Sequence, residues 1–313
     1  MQGKVLAIVT LLGLGLSAYA QAEELTTSAS LLNQPQRSTA MQRYAGGRLQ
    51  AIWNPQIKHN DVDWWLRSLR DWDSYGDGAV SGKSSSVAMG MDMMTGKETR
   101  TGIYGMYNHT KLSGAGNGLQ QDWRGGAYIG KEHGAVRQYA YADYGRLGTH
   151  YTRLGLEAKY HGQIAEIGAE YQYDLQADAG KIYHVAPYVN MQASRYLQNG
   201  FSTNSISAGS MNNNYMAGEA GVELRRELAS SNFAVRLGYK RVLTGADPEL
   251  NYSWRASGTN FNEQGAMDKD YLHLTLATMF KLKGNLSLTG EAGWLQGSHD
   301  RELMADVKLN WSL

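Results

Sequence analysis

The chain has no cysteine among its 313 residues, so no disulfide and no thiolate metal ligand contributes to it, and the disulfide-stapled secreted scaffolds are excluded. Proline is scarce, at 4 residues, which leaves long stretches with every backbone N–H available to a strand ladder. Charge of one sign is absent as well. Thirty Lys and Arg against 29 Asp and Glu give a formal net charge of +1, which provides no electrostatic footprint for nucleic acid. Beyond the first eighteen residues no apolar run reaches the roughly 18 to 20 residues that a membrane-crossing helix requires. A helical membrane protein is therefore excluded.

The opening residues set a compartment. Lys4 supplies a positive start, VLAIVTLLGLGLSA (5–18) an apolar core, and Ala-Tyr-Ala (18–20) or Ala-Gln-Ala (20–22) a small-residue cleavage site. That order predicts a signal peptide over 1–22 and a mature chain starting near Gln21 or Glu23. The alternative, an uncleaved anchor, has too short an apolar run.

Glycine, tyrosine and tryptophan are plentiful, at 37, 20 and 8 residues. The mean hydropathy of −0.47 resembles that of a soluble protein. It equally suits a transmembrane β-barrel, whose strands alternate lipid-facing apolar with lumen-facing polar residues and so average to a low value. Aromatics then serve the interfacial girdles, and glycine permits curvature.

From Val62 onward, period-two alternation recurs in segments separated by Gly, Asn and Asp. Twelve strands are predicted, near 62–74, 81–95, 99–112, 118–131, 136–153, 163–174, 181–197, 215–228, 232–244, 271–282, 286–294 and 301–313. The clearest is the last, in which Leu303, Ala305, Val307, Leu309, Trp311 and Leu313 share one face while Asp306, Lys308 and Asn310 share the other. The fold class is all-β, a transmembrane antiparallel barrel of about twelve strands, since an even number closes with both ends on one side. A soluble β-sandwich with the same alternation is the rival fold. Residues 283–285 are read as a tight turn and 245–270 as one long outer loop. Residues 23–61 lack alternation, and 29–52, interrupted by Pro35 and the Gly46-Gly47 pair, reads as a polar, partly helical linker or plug.

Parity places Glu166, Glu170, Glu219, Glu223, Glu291 and Asp306 on the lumen side, with Arg225, Arg236, Lys240 and Lys308 as counter-charges. Two roles suit this set: a charged channel that passes an unfolded chain or holds a helix at 36–50, and a structural network that fills a small barrel's interior. No catalytic site emerges. Asp61 and Asp63, Asp71 and Asp73, and Asp268 and Asp270 with His273 supply carboxylates and an imidazole, as an outer-membrane protease would need, but no Asp-x-His couple stands at a strand rim, and such acidic pairs suit solvated turns. The 8 His show no ligand spacing, so neither metal nor cofactor is implied. Lys83-Ser84-Ser85-Ser86 reads as a polar turn entering the second strand, and the sequons at 108–110 and 251–253 as incidental.

The order of these patterns resembles the C-terminal translocator barrel of autotransporters, the type V secretion proteins. The resemblance covers most of 41–313. MQRYAGGRLQ (41–50) is similar to the helix that crosses that barrel's lumen, DWWLRSLRDWDSYGDG (63–78) to its first strand and SSVAMGMDMMTG (85–96) to its second. WRGGAYIGK (123–131), DYGRLGTHYT (143–152), IGAEYQYDL (167–175), APYVNMQASRY (186–196) and AGVELRREL (220–228) follow in the family's order. The resemblance implies an outer-membrane barrel that exports or anchors an N-terminal segment at the cell surface. Implied partners are outer-membrane lipid, periplasmic chaperones and the barrel-assembly machinery, which would read Leu309, Trp311 and Leu313. A stand-alone pore or adhesin-like barrel is the alternative. The family usually ends in Phe, whereas Leu313 ends this chain. Its self-cleaving members use an Asn-Asn pair beside inward acids; here the pair is missing, and of the acidic positions Glu170 remains while Tyr139 and Asn190 replace the others. Only about 20 to 40 residues lie between signal and barrel, which implies a very short passenger, one carried on another chain, or a barrel kept for another purpose.

Overall fold

The structure, a computed structural model, describes residues 62–75, 80–113, 117–153, 156–175, 182–204, 206–246, 249–255, 257–264, 268–283 and 285–312. The signal peptide, the linker with its helical plug and Leu313 lie outside them. Twelve long strands form a closed antiparallel barrel: β1 (Val62–Tyr75), β2 (Val80–Met94), β3 (Thr99–Ser113), β4 (Asn117–His133), β5 (Val136–Arg153), β6 (Leu156–Tyr173), β7 (Tyr183–Gln198), β10 (Met211–Glu227), β11 (Ser231–Thr244), β14 (Asp270–Lys281), β15 (Leu286–Gln296) and β16 (Arg301–Ser312). Four short strands, β8 (Phe201–Ser202), β9 (Ile206–Ala208), β12 (Glu249–Trp254) and β13 (Asn260–Gln264), form a second sheet. β1 and β16 close the barrel in an unbroken register from Asp63 opposite Ser312 to Ser74 opposite Arg301. The rival sandwich would have two open sheets.

Alternation produces an inverted molecule. Along β7 outward and buried side chains alternate at every step, but apart from Arg195 the outward ones are apolar and many of the buried ones are polar. Ile103 is 60 % exposed and Val307 54 %, whereas Arg67 and Lys308 are 1 % exposed. A surface apolar on this scale is stable against lipid rather than water.

The end carrying Val62 and Ser312 has mostly short turns. Thr95 N–H donates to Thr99 O at 2.9 Å, Leu228 N–H to Ser231 O at 2.9 Å and, across the expected 283–285 turn, Leu282 N–H to Leu286 O at 2.9 Å. The opposite end carries the longer connections, the arrangement of an outer-membrane barrel with its short turns in the periplasm.

Three expectations require correction. Lys83 to Ser86 form no turn; they lie inside β2, with Ser84 and Ser86 bonded inward to Thr110 and Asn108 at 2.9 and 2.8 Å. The 245–270 stretch is not plain loop, because β12 and β13 pair within it. β12 also pairs with β9, from the connection after β7, in the order β13-β12-β9-β8. Third, β6 begins at Leu156, seven residues before the expected start at 163. The outward residues Glu157, Lys159 and His161 are polar, so ladder pairing continues after the apolar signal has stopped.

The small sheet is seated on the barrel by an apolar cluster. Phe201 stacks on Tyr160 with ring centroids 4.9 Å apart, among buried Leu147, Ala158, Ile164, Tyr196, Ala208 and Met211. The Arg255 guanidinium also donates to Thr203 O at 3.1 Å.

Candidate functional site

The inner wall is lined by charge held in networks. Burying an ion without a partner costs several kcal/mol, and the inward arginines on this wall stand among carboxylates. On β1 to β4, Arg100 pairs with Asp63 and Asp92. Asp92 also accepts the Tyr128 hydroxyl at 2.5 Å, and that hydroxyl accepts Trp65 Nε1–H at 2.9 Å. Arg67 pairs with Asp306 across the closing seam and lies 3.8 Å from Glu291. Arg124 stands among Asp122, Asp143 and Glu166 at 3.9, 3.9 and 3.5 Å. Tyr104 donates to Asp143 at 3.0 Å, and Tyr141 to Glu166 at 2.6 Å.

Farther round, Arg236 pairs with Glu170 and Glu223, the latter at 3.1 Å, and lies over the Tyr188 ring at 4.1 Å. Arg225 reaches Glu223, Asp174 and Glu227 at 3.0, 3.2 and 2.7 Å, and His184 meets Asp174 at 2.8 Å. Lys240 is directly opposite Glu219 in the β10–β11 register and lies 5.9 Å from the Tyr215 ring centre.

All ten residues assigned to the lumen by parity therefore face inward, and the structure adds the partners that parity leaves open. Parity also reaches Arg67 and Arg124, which follow the outward Leu66 and Trp123, whereas Arg100 lies between Thr99 and Thr101, where the contrast between faces is weak. Tyr139 and Asn190 flank Glu170 in one continuous row, Tyr139–Glu170–Asn190–Glu219. Neutral side chains thus occupy both sides of the one retained acid. At the closing seam, Leu309 lies opposite Leu66 and Leu288, and Trp311 opposite Trp64 and Leu286.

The acidic pairs considered for proteolysis are not brought together. Asp61 lies outside the described residues and Asp63 is engaged by Arg100. Asp71 and Asp73 are buried on the inner face of β1 instead of lying in a solvated turn. Asp270 accepts the Tyr239 hydroxyl at 2.5 Å on the outside. His273 lies within the barrel, with Nδ1 3.0 Å from Glu219 and Nε2 3.1 Å from Thr275 Oγ1. Asp268 is at the outer rim, where it accepts the N–H of His299 at 2.6 Å and of Asp300 at 2.8 Å. Burial works to raise the Asp268 carboxyl, but those two N–H groups and the His299 ring outweigh it and hold the pKa below the usual carboxylate value. Among the described residues no group of three or more His, Asp or Glu is arranged to hold a metal ion.

The charges do not balance. Among the described residues fourteen buried carboxylates stand against seven buried Lys and Arg, so the inner wall carries a negative potential and favours a cationic occupant.

Known proteins share this architecture. The family described as Autotransporter beta-domain matches residues 64–293. The translocator domain of the autotransporter NalP from Neisseria meningitidis superposes with a TM-score of 0.71 at 15 % identity, covering 89 % of this chain and 98 % of that one. The beta domain of the Bordetella autotransporter BrkA gives 0.63 at 14 %, with 81 % and 100 % covered. The transport unit of AIDA-I from Escherichia coli gives 0.58 at 12 %, with 87 % and 98 % covered. No curated protein matches the sequence. The match over most of the twelve strands, together with the closed barrel those strands form, places this chain in the autotransporter β-domain family.

Proposed function

We propose that this outer-membrane barrel translocates an N-terminal segment of its own chain and keeps residues of about 30 to 55 in its lumen as a plug. Charge complementarity carries the reading. The inner wall has the carboxylate excess described above, and from Leu25 to Asn60 the sequence holds Arg37, Arg43, Arg48 and Lys58 with no Asp or Glu. A basic segment inside an acidic wall replaces lost hydration with ion pairs. In this reading residues 1–22 are a cleaved signal peptide, 23–61 a short passenger remnant with its lumen segment, and 62–313 the barrel. The passenger is that short stretch or belongs to another chain. Periplasmic chaperones and the assembly machinery deliver the barrel, recognising Leu309, Trp311 and Leu313.

Deleting residues 24–55 tests the plug: conductance across a planar bilayer rises severalfold if the segment fills the lumen, and an unchanged conductance rejects it. A peptide epitope placed after Ala22 tests export. Labelling on intact cells supports translocation, and labelling only after the outer membrane is opened rejects it. A stand-alone surface barrel is the second reading, favoured by the sheet of β8, β9, β12 and β13 at the outer mouth.

A further inference from the structure

The outer wall of β1, β2 and β3 carries a compact cationic patch just above the apolar band. Arg70, Lys83 and Lys111 point outward and are exposed. Lys83 lies directly opposite Lys111 in the register. Arg70 and His109 flank Ser85 one outward row below. Like charges in direct cross-strand register destabilise a sheet. On the inner wall the like-charged neighbours Arg67 and Lys308 have Asp306 and Glu291 beside Arg67, whereas among the described residues none of Arg70, Lys83 or Lys111 has a carboxylate partner. The outward faces of β1 to β4 contain no Asp or Glu at all among those residues.

The position of the patch identifies what neutralises it. The next outward row toward the middle of the wall is Val87, Tyr107 and Trp123. The Tyr107 and Trp123 rings are 4.5 Å apart and Trp123 is 67 % exposed. Aromatic pairs of this kind mark the membrane–water interface, and below them Met89, Met91 and Ile103 face the hydrocarbon. The lysines are therefore at headgroup height on a wall continuous with the apolar band. A soluble anion would gain from the charge but not from that wall; a lipid gains from both.

We infer that Arg70, Lys83 and Lys111, with His109 beside them, bind the phosphate of a phosphorylated lipid in the leaflet at the long-loop end of the barrel. Phosphate oxygens between Lys83 and Lys111 convert a repulsive pair into two charge-assisted contacts, while acyl chains lie against Val87, Tyr107 and the methionines below.

The test is native mass spectrometry of the purified full chain in zwitterionic detergent, supplied in separate arms with bisphosphorylated lipid A, its dephosphorylated form, or inorganic phosphate. The wild type is expected to retain the phosphorylated lipid and not the dephosphorylated one, with inorganic phosphate failing to displace it. Lys83→Gln with Lys111→Gln lowers retention roughly tenfold, Lys83→Arg with Lys111→Arg preserves it, and Lys131→Gln, at the opposite rim, leaves it unchanged. Heat modifiability of the unboiled protein verifies folding of each variant. The single variant Arg70→Gln, with a severalfold loss expected, serves if the double lysine variant fails to fold. Full retention by the folded variants overturns the assignment. So does equal binding of dephosphorylated lipid, and displacement by inorganic phosphate would make this a site for free anions.

Discussion

The Tyr188 hydroxyl donates to Oε1 of Glu219 at 2.6 Å, a bond from β7 to β10 inside the barrel. His273 on β14 approaches the same carboxylate at 3.0 Å, so one acid ties three strands. Replacing Glu219 with Ala removes every one of these contacts, and bonds to a charged group contribute about 1.5 to 3 kcal/mol each. Glu219→Ala is expected to lower clearly the temperature at which the unboiled gel band shifts to the unfolded position. Glu219→Gln retains an acceptor for Tyr188 and should lower it less. An unchanged transition for Glu219→Ala would show that the carboxylate's charge and its bonds do not stabilise the barrel.

Close approach of a ring makes a second prediction. Gly168 lies opposite Tyr141 in the β5–β6 register, and a Cβ at Gly168 would overlap the Tyr141 ring. That ring lies over the glycine and delivers its hydroxyl to Glu166. Gly168→Ala forces the ring away at a cost of about 1 to 3 kcal/mol, read as a lower fraction of heat-modifiable protein after refolding. Adding Tyr141→Ala should relieve the clash, so the double variant loses less than the sum of the two single ones.

The rim has a pH dependence of definite sign. The Asp268 pKa is depressed in the folded barrel, so its contribution is complete above the unfolded carboxylate value of about 3.9 and fades as pH falls through the lower folded one. Amide exchange at His299 and Asp300 should stay slow from neutral pH down to about 5 and accelerate, beyond the intrinsic pH trend, only below about 4. Asp268→Ala, which removes the acceptor, should expose both amides at every pH. Fast exchange at neutral pH in the wild type would show that the rim contacts are not formed.

Once the lumen is open, its charge becomes measurable. With fourteen buried carboxylates against seven buried Lys and Arg among the described residues, the variant lacking 24–55 is expected to pass cations in preference to anions. Its reversal potential in a salt gradient should therefore shift toward the cation equilibrium potential, with the shift shrinking in concentrated salt. Anion preference would contradict the charge assignment of the wall.

Much of this barrel was legible because its two faces meet different solvents. Lipid outside and paired charge inside make alternation strong wherever a strand crosses the apolar band, and all twelve crossings were located. Strand ends were not, since Glu157, Lys159 and His161 are polar on the outward side and period two loses its contrast there. Strand partners are a different kind of information. Parity turns Arg67 inward, but its pairing with Asp306, 239 residues away, depends on the closing register of β1 with β16. The short strands β8, β9, β12 and β13 are two to six residues long, too brief for periodicity, and β9 and β12 find each other only because the barrel brings the connections after β7 and β11 to one mouth.

That pairing of β9 with β12 joins Ala208 to Tyr252, Ser207 to Ser253 and Ile206 to Trp254, residues separated in the chain by the whole of β10 and β11. The surface offered to the cell's surroundings is therefore a composite epitope. Neither connection made as a free peptide reproduces it, so antibodies selected on intact cells should fail on blots of boiled protein, while those raised to linear peptides from 249–264 should miss the living surface.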